Sequence, residues 1–260
     1  MIPTSIDGTD ITGATIDGTD VQEITVDGDV VFSAGPSNVP VAYSNLVAWY
    51  PFDSAEYGGS DADDVTAIIG SSGDDTAYDG SVSGPTYQSS GGVTDIRAGA
   101  SSGAYDFAAG SDEIDIGLSG VNESTFTICF FVNIDSQNGG YFYDSNTSDR
   151  YYFYWQSAGG NPGKISSNFG GQTDINLNDF SAINNWIHIA QVHDGTSMNY
   201  FINGSFEDSV SNSDDLDPSA GFVLGGFNFV HLDGTMDDFR VYNTDLSNSQ
   251  INQIYLNTQP

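Results

Sequence analysis

The residues best equipped for chemistry in this chain are oxygen donors and aromatic rings. Thirty-six Asp and Glu stand against four Lys and Arg, a formal net charge of -32. Such a chain suits calcium, which takes about six to eight oxygens from carboxylates and loop carbonyls. Zinc has little to work with: three histidines, His188, His193 and His231, and one cysteine, Cys129. His188 and His193 lie five apart, so in one strand they face opposite sides of the sheet and cannot share an ion. Cys129 sits in the apolar run from Phe126 to Val132 and reads as buried filler rather than a nucleophile. A lone cysteine also excludes an intrachain disulfide. No glycine-rich loop follows a strand and opens a helix, so nucleotide binding has no cradle.

A second constellation is aromatic. Tyr141, Phe142 and Tyr143, then Tyr151, Tyr152, Phe153, Tyr154 and Trp155, bracket the loop 144–150. Sugar-binding surfaces stack a ring on the apolar face of the sugar and take its hydroxyls with Asp and Asn side chains. We therefore expect ligand contacts from Tyr141, Tyr143, Asn146, Tyr151 and Trp155, while other members of the set turn into a core. The sequons at Asn122, Asn146 and Asn203 add little, since an Asn- and Ser-rich chain produces several by chance.

The acids are scattered along the chain rather than gathered in a tail, so the charge belongs to the folded surface. Self-repulsion on this scale destabilises a compact state unless counter-ions screen it. Lys164 is the one lysine, and Asp far outnumbers the five Glu, which is the pattern of proteins from extreme halophiles. Nucleic acid is excluded as a partner, because phosphate binding needs a basic footprint. No stretch reaches the length of a transmembrane helix, so membrane insertion is not expected. The start MIPTSIDGTDITG lacks the charged and apolar regions of a standard secretory signal, and Met1 leads us to expect a natural start.

These groups must be positioned by strands. From residue 4 to 31 a ten-residue unit recurs: Ser5-Ile6-Asp7-Gly8-Thr9-Asp10-Ile11, then Thr15 to Val21, then Thr25 to Val31. Each copy sets β-branched residues around Asp-Gly, the favoured pair for a two-residue hairpin turn. Ribbons this short are marginal alone and need something to pack on, so we expect residues 1–35 to be a docking or homo-oligomerisation module. Gly35-Pro36 marks a turn-rich boundary, with 36–43 as linker and 44–260 as the main domain. Near its end, Met236, Asp238, Arg240 and Tyr242 are expected on one strand face, with Asp237, Phe239, Val241 and Asn243 on the other. Ser247 and Gln250 then have capping-box spacing, ahead of a helix with Leu246, Ile251, Ile254 and Tyr255 on one apolar face.

The closing run Gly234, Met236, Asp237, Asp238, Phe239, Arg240, Val241, Tyr242, Asn243, Leu246 and Ser247 resembles the closing signature of laminin G-like domains of the concanavalin A-like lectin superfamily. Further resemblances are Leu46 to Asp53, Ala104 to Phe107 with Asp112 to Ile116, Trp186 to Gly195, and Tyr200 to Ser205. Ala108 departs from the family's usual Asp or Asn. The resemblance covers roughly residues 44 to 258 and implies an all-β fold, an antiparallel two-sheet jelly-roll sandwich with one short C-terminal helix. It also implies a structural calcium at the joint of opening strand, glycine-rich loop and closing strand. The corresponding carboxylates are Asp53, Asp74 or Asp75, and Asp237.

Glycanases of the same superfamily use E-x-D-x-x-E, a pair of carboxylates across a cleft. Glu113-Ile114-Asp115 begins that pattern, but Leu118 stands where the second Glu belongs, so no enzyme is expected. The repeated N-terminal units resemble docking modules of tailed-virus virion proteins. The expectation is a virion-surface structural protein of a halophilic tailed virus, in a fibre, spike or capsid turret. It would contact other virion proteins and adhere to a host-surface glycan or glycoprotein. The alternative is a cell-surface or secreted adhesin or glycanase of a halophilic archaeon.

Overall fold

A computed structural model describes residues 5–6, 9–10, 14–16, 19–21, 23–26, 29–33, 41–52, 64–65, 68–69, 73–74, 78–96, 100–101, 103–108, 110–118, 122–135, 140–145, 152–156, 164–168, 175–177, 184–217, 221–227 and 230–260. Side chains are described from 41 onward, except at 64–74, 100–101, 154–156, 164–168, 175–177 and 227.

Two antiparallel sheets carry the main domain. One has ten strands, in the order Gly73–Asp74, Ile68–Ile69, Leu46–Tyr50, Asp233–Tyr242, Phe126–Ile134, Trp186–His193, Ser197–Ile202 and Ser205–Ser211. Its remaining two strands, Thr86–Gln88 and Ala104–Ala108, attach beside the first half of Asp233–Tyr242. The other sheet has eight strands: Ile175–Leu177, Lys164–Asn168, Tyr152–Gln156, Gly140–Asp144, Phe222–Leu224, Glu113–Ile116, Gly80–Ser83 and Asp64–Val65. This is a jelly-roll sandwich, as the sequence leads one to expect. The N-terminal units form three separate hairpins, pairing Ile6 with Thr9, Ile16 with Thr19 and Val26 with Asp29 across successive Asp-Gly pairs.

The main core fills the space between the sheets. Phe126–Ile134 contributes Ile128, Phe130 and Val132, and Phe130 stacks on Phe239 at 5.6 Å while meeting Phe142 and Phe153 from the opposite sheet. Burying each such ring contributes about 1.5–3 kcal/mol. Phe126–Ile134 is apolar on both faces because the outer face of its sheet is covered too. There Leu46, Trp49, Cys129, Ala190, Phe201 and Tyr242 meet Leu246, Ile251 and Ile254 of the C-terminal segment. The helix Asn248–Asn257 is held in place by its cap: Gln250 N donates to Ser247 Oγ at 3.4 Å, and Ser247 N donates to Gln250 Oε1 at 2.9 Å. Tyr255 is only half-buried and leans over His188.

The faces of Asp233–Tyr242 differ from strict alternation. Met236 shares the core face with Phe239 and Val241, whereas Asp237, Arg240 and Tyr242 lie on the outer face. The cause is a bulge: Cys129 opposes Arg240 and Phe131 opposes Asp237, leaving an extra residue in the closing strand. Asp238 takes that place with φ 53°, a left-handed conformation that Asp tolerates better than most residues. Period two therefore misplaces Met236 relative to Arg240 and Tyr242.

Candidate functional site

The bulge builds a buried ionic knot under the outer cover. Trp49 Nε1 donates to Asp238 Oδ1 at 2.6 Å, and Arg240 Nε donates to the same oxygen at 3.0 Å. Arg240 Nη2 lies 2.8 Å from Asp238 Oδ2, out of line for a hydrogen bond, so that contact is ionic. The guanidinium carbon also lies 4.9 Å from the Trp49 ring centroid, a cation–π contact. Burial raises the Asp238 pKa while Arg240 holds it back. Burial also works against the Arg240 charge, but Asp238 together with Tyr242 and Cys129 outweighs it and raises the Arg240 pKa. The knot joins the opening and closing strands and is inaccessible to a ligand.

Asp237 sits beside it, fully buried. Its Oδ2 accepts from Val93 N at 2.8 Å and its Oδ1 from Asp238 N at 2.7 Å. The segment above can approach because residue 92 is glycine: a Cβ there would come within 2.5 Å of Asp237 Oδ2. Of the other residues expected at a calcium, Asp53 and Asp75 lie outside the described residues, and Asp74 is described only as backbone, paired with Ile68. Among the described residues no group of three or more His, Cys, Asp or Glu could hold a metal ion.

The histidines do lie on opposite faces. His193 stacks on Phe126 at 5.1 Å on the core side, its ring nitrogens against Ser124 O and Asn212 O. His188 is buried on the outer side, 4.9 Å from Phe131, and neither ring nitrogen has a hydrogen-bond partner among the described residues. Burial, helped by Arg240, lowers its pKa to about 3. Leu118, where a glycanase would carry its second Glu, is core.

The aromatic group divides between inside and outside. Tyr143 is fully buried and its hydroxyl donates to Gln191 Oε1, so this ring shows no face to an outside ligand. A register shift between Tyr141 and Tyr143 lets both Phe142 and Tyr143 enter the core. Tyr141 stays half-buried, edge-on to Tyr152 at 5.6 Å. Asn146 and Tyr151 lie outside the described residues, and Trp155 is described as backbone, paired with Gly140 and Ile165.

A cleft of about 490 Å³ instead opens on the outer face of the ten-stranded sheet, where the helix begins. Val192, Phe201 and Leu246 floor it, Phe206 forms a wall, and Asp194, Asn199, Asp245, Ser247 and Asn248 also line it among the described residues. Phe206 is 51% exposed and stands edge-on to Phe201, with ring centroids 5.7 Å apart. The volume falls in the range of small-ligand sites, about 300–1,000 Å³. Two lining groups are committed to local structure. Asp194 Oδ1 accepts from Thr196 N, Thr196 Oγ1 and Ser197 N at 2.8–2.9 Å, bonds that hold its pKa below the usual carboxylate range. Ser247 is the helix cap. Three others remain available: Asn199 reaches its partners only at 3.4 Å, Asp245 has only the Thr244 hydroxyl at 3.5 Å, and Asn248 makes no side-chain hydrogen bond among the described residues. Sequence reasoning passed over this cleft. Its one signal was Phe206, the aromatic of a strand, Ser205–Ser211, that is otherwise polar except for Val210.

Residues 108–252 match the laminin G-type model of the concanavalin A-like lectin/glucanases superfamily. That match covers more than half of the chain, which therefore belongs to this superfamily. Among solved structures, domain 4 of AbnA, a GH43 extracellular arabinanase from Geobacillus stearothermophilus, in complex with arabinotriose, is 18% identical, with a TM-score of 0.57 over 81% of this chain and 98% of that one. The ligand binding domain of botulinum neurotoxin serotype D, in complex with N-acetylneuraminic acid, is 13% identical, with a TM-score of 0.58 over 82% of this chain. The match spans 51% of the toxin fragment. At such identities these likenesses show the fold. No curated protein matches by sequence. No helix among the described residues is long and apolar enough to cross a membrane.

Proposed function

We propose that the chain is a non-enzymatic glycan-binding module displayed on the virion of a halophilic tailed virus, in a fibre, spike or capsid turret. The observation that carries glycan binding is the cleft, where an exposed aromatic wall stands beside unsaturated carboxylate and carboxamide groups on a lectin-type fold. That pairing suits a sugar, whose ring has an apolar face and whose rim is hydroxyls. Two sandwiches of this shape carry saccharides in their solved complexes, which adds support. Against hydrolysis stand Leu118 in the core and a cleft carboxylate, Asp194, whose lowered pKa suits it poorly to donate a proton. The Asp-Gly hairpins of residues 1–35 would hold the module to its neighbours in a homo-oligomer and to other virion proteins. A glycan array probed with the full chain in molar salt tests the binding reading: we expect a defined subset of glycans to bind, and a blank array overturns it. Mass spectrometry of purified particles against host envelope tests the location.

A structural calcium belongs to the same reading. The hairpin ending in Asp74, the strand leading towards Asp53 and the strand bearing Asp237 are neighbours in one sheet. Carboxylates gathered at such a joint would repel one another, and a divalent ion would offset the repulsion. Chelator should lower the melting temperature at fixed high salt, and Asp237→Asn should abolish that response. An unaltered melt in chelator sinks the calcium.

A further inference from the structure

We infer that the cleft beside the helix start takes uncharged saccharides and rejects acidic ones, an assignment that rests on the glycan-binding reading above and adds its site and ligand class. Among the described residues the lining contains no Lys, Arg or His, and it contains two carboxylates, Asp194 and Asp245. A sialic or uronic carboxylate entering it would find no cation and two like charges. A neutral sugar finds complementary groups. Its apolar face stacks on Phe206, which Phe201 props edge-on from the floor. Its hydroxyls donate to the Asp245 carboxylate and to Asn199 Oδ1, and they accept from the Asn248 amide. These groups have spare hydrogen-bonding capacity, whereas Asp194 Oδ1 and Ser247 are spent on the turn and the cap.

The protein's overall charge does not by itself make this selection under its expected conditions. At molar salt the Debye length is about 3 Å, so distant carboxylates are screened and only direct contacts discriminate. A binding assay in molar salt therefore reads the cleft rather than the global field. Asp245 is the discriminating residue. Its neutralisation to Asn should weaken a neutral ligand, by loss of a charged acceptor, while easing the entry of an acidic one. Phe206 is the anchor, and because it is half exposed its truncation leaves the core intact.

The test titrates the full chain in molar salt with arabinotriose, maltotriose and mannotriose as neutral probes, and with sialyllactose and a galacturonate trimer as acidic probes. The expected result is saturable binding of at least one neutral probe and none of the acidic pair. Phe206→Ala should lose about tenfold or more in affinity, the size an aromatic anchor carries in a binding site. Phe206→Tyr should restore it, with unchanged far-UV circular dichroism throughout. Asp245→Asn should weaken the neutral probe and narrow its margin over the acidic ones. Preference for an acidic probe, or neutral binding indifferent to both Phe206→Ala and Asp245→Asn, overturns this assignment and leaves glycan binding standing. Absence of binding to all five probes overturns the cleft assignment. If the glycan array is blank as well, the glycan reading falls with it.

Discussion

Trp49 Nε1 donates to Asp238 Oδ1 at 2.6 Å across 189 residues of sequence, tying the opening strand of the sandwich to its closing strand. The bond exists because the bulge turns the Asp238 carboxylate outward, on the side where Trp49 and Arg240 already face each other in register. A buried charge pair is costly to break from one side, since the remaining charge stays desolvated. Arg240→Met should thus cost about 3–5 kcal/mol. Trp49→Phe, which removes the donor with its five-membered ring and keeps an aromatic side chain, should cost about 1–3 kcal/mol. Combining Arg240→Met with Asp238→Asn should cost less than the sum of the two alone. Denaturant melts at constant molar salt measure all of these, and additive losses would show that the knot is not a coupled unit.

Stability should fall with acid through His188. Its folded pKa of about 3 lies below the ordinary value of 6.5. Between those values the unfolded chain binds the proton and the folded chain does not, so folding weakens as pH drops through this window. The slope is about 1.4 kcal/mol per pH unit. Comparing pH 7.5 with pH 5, which enters the window by about 1.5 units, the wild type should lose about 2 kcal/mol more than His188→Gln. Equal losses in the two proteins would mean that the imidazole is already solvated in the folded state.

The parts of this architecture legible in the sequence are those whose cause is local. Ser247 and Gln250 form their capping box, and Asn203-Gly204 makes its hairpin with both residues at positive φ. The nearly continuous apolar run of Phe126–Ile134, broken by Thr127 and Asn133, is covered on both faces. What escaped depends on events that leave no periodic trace. One inserted residue at Asp238 reversed which neighbours share a face with Met236. A register shift near Phe142 drew Tyr143 into the core while Tyr141 stayed at the surface. The cleft was least visible, since it is assembled from a turn at Asp194, a hairpin from Asn199 to Phe206 and the approach to the helix. No spacing rule links segments that only packing brings together.

The net charge of -32 predicts a fold that depends on salt. Passing from 0.1 M to 1 M shortens the Debye length from about 10 Å to 3 Å and removes most repulsion between surface carboxylates. The melting temperature should rise steeply over that range, with folding recovered on return from dilute buffer to molar salt. A cooperative melt unchanged across it would contradict the halophilic reading.

Residues 1–35 should drive self-association. Among the described residues each of their hairpins pairs two strands, which leaves edges for neighbouring copies to cover. A chain beginning at Val41 should fall to monomer mass in light scattering while the full chain is larger. Equal masses would show that assembly, if any, lies elsewhere.

The central claim is that this sandwich binds glycan at the cleft walled by Phe206. Isothermal titration of the full chain in molar salt, against the strongest hit of a glycan array, tests it most directly. The account predicts a saturable isotherm with one site per chain that is weakened about tenfold or more by Phe206→Ala. Heat indistinguishable from dilution, or an isotherm identical in the wild type and Phe206→Ala, would contradict it.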